Sequence, residues 1–331
     1  MNSACSIGRR RVILGGISGI SGINGINGLV GLGGLMRASA ALIPLLAVPS
    51  HNADAQKSRP AAAASPLRVA VAGGAITEIV YALNAQAMLV GADTTSTYPP
   101  AAQLLAKIGY QRALSAEGVL SLHPDLLLTS AEAGPPVALA QIAAAGVKVI
   151  KLGDHHDIQV VRDRIRGTAL ALNLSARGVS LLQRFNSEWQ VALETVKRHR
   201  QAGKTPPRVM FVLSHSGTQA MVAGRDTAAD AMIRYAGATN ALGGEDSAGG
   251  YRGYKPLTAE SAAMASPDIL IITSEGLEAI GGTSRLIETP GLALTPAARN
   301  RRVVGNMDSL FLLGFGPRMP EALIKLSAQL V

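Results

Sequence analysis

Aromatic residues make up only 3% of the chain, with a single tryptophan, so its core must be built from Leu, Val, Ile and Ala. Cysteine is scarcer still. Cys5 is the only one, which leaves no partner for a disulfide and no thiolate metal site. The basic residues form no long run interleaved with aromatics, so a nucleic-acid partner is not expected. There is no Gly-x-Ser-x-Gly elbow and no His-x3-His pair, which argues against an enzyme, although Ser214-His215 and His155-His156-Asp157 are the places to look for one. Gly73-Gly74 and Gly314-Phe315-Gly316 are not followed by Gly-Lys-Ser/Thr, so neither is a phosphate loop.

The first 55 residues are a different polymer from the rest. Arg9-Arg10-Arg11 leads into a Gly-rich, mildly apolar run, then Ala40–Val48, then Ala53-Asp54-Ala55. A basic start, an apolar middle and a small-x-small site make an export signal peptide over residues 1–55, cut after Ala55 with Ala40 as the competing site. Gly, Asn and Pro interrupt the apolar run, which argues against a membrane anchor. The paired arginines also resemble a twin-arginine signal. Cys5 lies ahead of the apolar region and leaves with the signal. What remains carries 27 basic and 21 acidic residues, a net +6. Residues 56–66 read as a disordered linker.

A unit near residue 115 recurs 143 residues later. Ser115-Ala116-Glu117 is followed by His123-Pro124-Asp125 and an apolar run; Thr258-Ala259-Glu260 by Ser266-Pro267-Asp268 and another. Each copy reads as a short helix with an acidic first turn, ended by Pro-Asp and leading into a buried strand. The separation is too large for a solenoid, so it implies two similar lobes. Strands alternate with helices on both sides, as in Rossmann-like lobes with mainly parallel sheets. Between the lobes, apolar residues from Ile158 to Val196 recur at helical spacing, with Asp157 placed to cap the start, Gly203 the end, and Asn173-Leu174-Ser175 marking a kink or break. The expected organisation is α/β: an N-terminal lobe over 67–156, a long backbone helix over 157–203 that resists hinge closure, and a C-terminal lobe over 204–331.

Tyr110 follows Gly109 at a lobe edge, with Arg112 two residues on. By itself it reads either as a half-buried loop tyrosine or as a metal ligand. Phenols ionise near pH 10, so ligation at neutral pH needs a metal or a neighbouring cation to favour the anion. His215 follows a strand and reads as a cleft residue or a polar loop histidine. Arg225 reads as an anion holder or a loop anchor. Tyr254 and Arg252 are cleft candidates by repeat position. His155-His156 reads as a solvated turn, and His123 as an exposed residue at a helix end.

The segments Gly109-Tyr110-Gln111-Arg112-Ala113-Leu114-Ser115, Met221–Asp230 and Gly253-Tyr254-Lys255-Pro256-Leu257 resemble the haem-binding periplasmic proteins of Gram-negative haem ABC importers. The resemblance runs from about residue 67 to the end. The Glu…Pro-Asp unit is shared by the wider superfamily that also carries cobalamin and ferric siderophores, whereas Gly-Tyr-x-Arg-x-Leu-Ser is similar to the haem branch. The resemblance implies a monomeric periplasmic carrier of ferric haem b. In it Tyr110 is the iron ligand, Arg112, His215, Arg225 and Tyr254 line the haem site, and Glu117 and Glu260 dock on a permease that works with an ATPase subunit. A siderophore or cobalamin carrier, the alternative, would be marked by a cleft of Arg and Trp without an axial tyrosine. Here the one tryptophan, Trp189, falls on the linking helix.

Overall fold

The structure is a computed structural model that describes residues 66–153, 155–200, 205–216, 219–244 and 250–331. The expected signal peptide, all of the linker but Pro66, and Gly203 lie outside the described residues. In chain order the elements are β1 Val69–Ala72, α1 Gly74–Ala82, β2 Leu89–Ala92, β3 Gly109–Tyr110, β4 Ala113–Leu114, α2 Ala116–Leu120, β5 Leu126–Ser130, α3 Pro136–Ala144 and β6 Lys148–Leu152. The linking region is two helices, α4 Ile158–Ala171 and α5 Ser175–His199. Then follow β7 Arg208–Ser216, β8 Gln219–Ala223, α6 Ala228–Tyr235, β9 Thr239–Asn240, β10 Tyr254–Pro256, α7 Ala259–Ala265 and β11 Ile269–Ile272. The chain ends with α8 Ser274–Ile280, α9 Thr283–Ile287, α10 Pro296–Arg299, β12 Val303–Val304, α11 Ser309–Leu313 and α12 Met319–Gln329.

The first lobe has one parallel sheet in the order β2-β1-β5-β6. The second has a mixed sheet in the order β10-β8-β7-β11-β12, with β9 beside β7. Its antiparallel part, β8 and β10, was not expected; in sequence β10 is only three residues long and includes Pro256, which is tolerated because β10 is an edge strand.

Side-chain alternation along the strands explains how two lobes share a core. Val69, Val71, Leu126 and Leu128 of the first sheet and Val209, Phe211, Ile269 and Ile271 of the second all belong to one apolar cluster. That cluster also holds Val161, Ile165, Phe185 and Trp189 of the linking helices and Leu323 and Leu326 of α12. The intervening residues face the other way, Ala70 and Leu127 into a local core of the first lobe and Met210, Val212 and Leu270 into one of the second. The scarce aromatics are spent here: Trp189 packs edge-on to Tyr235 at 5.1 Å, and the Tyr235 hydroxyl accepts from Ile158 N at the start of α4.

α4 starts where expected, because the Asp157 carboxylate accepts from Gln159 N and Val160 N. The helix breaks at Asn173, which sits in the left-handed region at φ 57°, a conformation asparagine tolerates. α1 begins at Gly74, after an N-cap glycine that has no side chain to cap it. A neighbouring loop supplies the cap that the sequence does not show locally: Asp93 accepts from Gly73 N and Thr95 Oγ1 from Gly74 N.

The repeated Pro-Asp has a definite job. The residue before each proline is left-handed, His123 at φ 45° and Ser266 at φ 40°, and turns the chain out of its helix. The aspartate then ties the start of the lobe's first strand to the strand that follows the repeated unit, β5 in one lobe and β11 in the other. Asp125 accepts from Arg68 N at 2.9 Å and Asp268 from Arg208 N at 2.8 Å. Asp125→Ala and Asp268→Ala should each cost about 1 kcal/mol and lower the melting temperature by roughly 2–4 °C. Thermal melts followed by circular dichroism test this; two unchanged midpoints would show that the carboxylates hold nothing.

Candidate functional site

All four strands of the first sheet are parallel, so their carboxyl ends open onto one edge, where ligands of open α/β sheets bind. Three segments at that edge carry the polar groups. The first is the β3–β4 hairpin with Tyr110 and Arg112, the second the 131–135 turn after β5 with Glu132, and the third the pair His155 and His156 between β6 and α4.

The hairpin is only two residues per strand, too little to stand alone, and is pinned from both sides. Thr94 N donates to Gly109 O at 2.9 Å, Gly134 N to Gln111 O at 2.9 Å and Leu114 N to Gly134 O at 2.8 Å. Ser130 Oγ adds a bond to Gln111 Oε1 at 2.7 Å. Gly109 supplies the turn at φ 97°, a backbone that L side chains avoid. The result presents Tyr110 as a residue 42% exposed, with its hydroxyl 3.0 Å from Arg112 Nη1. Arg112 Nη2 lies 3.7 Å from Glu132 Oε2.

The second lobe faces this group with Tyr254, which begins β10 opposite Ala223. Burial pushes its phenol pKa up; contact with the Thr227 hydroxyl and the charge of Arg112 push it down, and Glu132 pushes it up. The net direction is upward, so Tyr254 is a neutral phenol at neutral pH. That Arg112 and Glu132 of one lobe act on a tyrosine of the other puts all three on the cleft. His156 joins them. It is half-buried, edge-on to Phe315 at 6.2 Å, and burial lowers its pKa against the opposing pull of Glu132. It is therefore a neutral imidazole on the cleft edge, not the solvated turn residue expected; only His155, paired with Asp157 at 3.3 Å, fits that description.

The remaining candidates divide. The Arg225 side chain donates to Gly244 O at 2.7 Å and its backbone pairs with that of residues 251–253, so it acts as an anchor of its loop, while Arg252 pairs with Asp226 at 2.6 Å. His215 is within β7, paired with Ala220; its side chain is outside the description. Glu117 and Glu260 are exposed in the first turns of α2 and α7. His123 is exposed at the end of α2, as expected. Sequence reasoning missed Glu132, whose only signal was its place in the turn after a buried strand.

The lobes are also tied through two arginines. Arg164 of α4, nearly fully buried, donates to Gly314 O at 2.9 Å and Phe315 O at 3.2 Å. Arg318 pairs with Glu78 of α1 and stacks on Tyr98, 3.6 Å from its ring centre.

A family model described as "Periplasmic binding protein" matches residues 69–308. Among curated proteins the chain is 31% identical over 100 residues to a vitamin B12-binding protein of Photorhabdus laumondii, covering 30% of this chain and 36% of that relative's length. The chain thus spans little more than a third of that relative. Among solved structures it is 55% identical to periplasmic heme-binding protein BhuT in complex with two hemes, at a TM-score of 0.74, covering 80% of this chain and 97% of that one. It is 41% identical to periplasmic heme-binding protein RhuT from Roseiflexus sp. RS-1, at a TM-score of 0.74 over 80% of this chain and 97% of that one.

Proposed function

Since this chain belongs to the periplasmic binding protein family, a family of substrate-binding transport proteins, we propose that it carries ferric haem in the cleft between its lobes and delivers it to an inner-membrane ABC permease and its ATPase subunit. The observation that carries this reading is the guanidinium 3.0 Å from the Tyr110 hydroxyl on an exposed, doubly pinned hairpin. A phenolate is a hard anionic oxygen donor of the kind ferric haem accepts axially, and an adjacent cation favours that anion. A porphyrin brings four of iron's donors itself, so one protein phenolate is enough.

In this reading Tyr110 is the iron ligand, Arg112 stabilises its anion, and Tyr254 offers a neutral phenol from the opposite lobe. Arg225 and His215 belong to the second lobe's side of the site, Arg225 through the loop it anchors. The protein works as a monomeric carrier without catalysis, in the periplasm, after removal of residues 1–55. Similarity to solved heme-binding proteins over nearly their whole length supports haem as cargo; the curated vitamin B12-binding relatives make cobalamin the alternative.

Titrating the purified mature chain with ferric haem and with cobalamin separates the two. Haem should produce a saturable Soret band and the high-spin charge-transfer pattern of a tyrosinate-bound ferric iron, whereas cobalamin should not compete. A haem spectrum indistinguishable from the free compound, with saturable binding of cobalamin, would overturn the proposal.

A further inference from the structure

Among the described residues Glu132 is the acidic side chain that pairs with Arg112 of the Tyr110 pair, and it belongs to neither the repeated unit nor the hairpin. Its turn is fastened to the hairpin by the two backbone bonds of Gly134, to Gln111 O and from Leu114 N, so its position relative to Arg112 is set by backbone and not by chance rotamers. Arg112 is 57% exposed along its side chain, and a long side chain so placed has many rotamers open to it. Two contacts restrict it: Nη1 meets Tyr110 Oη at 3.0 Å and Nη2 faces Glu132 Oε2 at 3.7 Å. A planar guanidinium held at two of its nitrogens has its orientation fixed as well as its place.

From this geometry, and resting on the reading of Tyr110 as the iron ligand, we infer that Glu132 is a positioning residue that holds Arg112 in register with the Tyr110 hydroxyl. It acts on the iron site through Arg112. Its other charged and titratable neighbours are His156, Arg164 and Tyr254, so it sits where polar groups of both lobes and of α4 converge.

The test is a double-mutant cycle in the mature protein, read by ferric haem affinity and by the position of the charge-transfer band. Glu132→Ala should weaken haem binding about three- to fivefold, the size an exposed ion pair supports, and shift the band. Glu132→Gln, which keeps an oxygen acceptor for Arg112, should stay closer to wild type than the alanine variant. In an Arg112→Ala background, Glu132→Ala should have no further effect on either readout, because a residue acting through Arg112 has nothing left to position. An undiminished effect in that background, no effect in the wild-type background, or a Gln variant as weak as the Ala variant would each overturn the inference. Tyr110→Phe run in the same series separates the two levels. If it binds haem as wild type does, the function proposed for Tyr110 fails as well; if it loses haem while the cycle is additive, the Glu132 inference alone falls.

Discussion

Tyr110→Ala should lower ferric haem affinity by more than about 100-fold, beyond the 10- to 100-fold expected for changes to residues that only orient a ligand. The residue is 42% exposed and belongs to none of the buried apolar clusters, so truncation removes a donor without opening a core cavity. The melting temperature of the haem-free protein should therefore stay within about 1–2 °C of wild type, as is usual for surface changes. Arg112→Ala should cost about tenfold, within the range for such orienting groups, because the phenolate loses its cation while the oxygen donor remains. Tyr254→Ala should cost less than Tyr110→Ala: burial holds that phenol neutral, which suits it to donate a hydrogen bond and not to ligate. Equal affinity of Tyr110→Ala and wild type, measured by spectral titration, would remove the assignment.

The second large effect concerns transport and leaves binding alone. Glu117 and Glu260 occupy the same place in the repeated unit, each exposed in the first turn of a helix. Their helices flank sheets that share one apolar cluster with the linking helices, and Arg164 and Arg318 tie the lobes to each other. Two carboxylates on so constrained a frame keep a fixed separation, which lets them meet two arginines of a permease at once without an entropic cost of aligning the lobes. If each charged pair contributes about 1.5 kcal/mol at the lower end of measured interfacial pairs, removing both should reduce docking roughly 100-fold. Glu117→Ala/Glu260→Ala should keep the haem spectrum and affinity and lose most uptake and haem-stimulated ATP hydrolysis in a reconstituted transporter. Either single variant should be intermediate and more sensitive to salt, since surface charges are screened within about 10 Å at 0.1 M. Normal transport by the double variant would rule out docking; loss of haem binding would show that these residues belong to a different site.

The internal repeat carried most of what could be read in advance. Its step of 143 residues announced two lobes, because helix, Pro-Asp turn and buried strand are each specified by residues close in sequence: an acidic first turn, a proline that cannot extend the helix, and an apolar run too short for anything but a strand. The linking helices were legible for the same reason, since helical periodicity and the Asp157 cap are local. Where local signals were weak the reading stopped short. β10 contains a proline and is only three residues long, so only pairing with β8 makes it a strand. α1 can start at Gly74, where no local side chain caps it, because Asp93 and Thr95, about twenty residues away, supply its cap.

The site divides along the same line. The sequence by itself singled out Tyr110 and Arg112 as a candidate pair, since a tyrosine after a glycine with an arginine two positions on is a local pattern, and the resemblance to the haem branch supplied the ligand reading. What the neighbours of that pair are was decided only by the tertiary structure. Glu132 comes to Arg112 through a turn twenty residues further along the chain, His156 becomes neutral because Phe315 and its surroundings bury it, and Tyr254 meets the group from the other lobe. Burial and charge act through space, between segments that share no sequence neighbourhood, and so they exist only once the chain has folded.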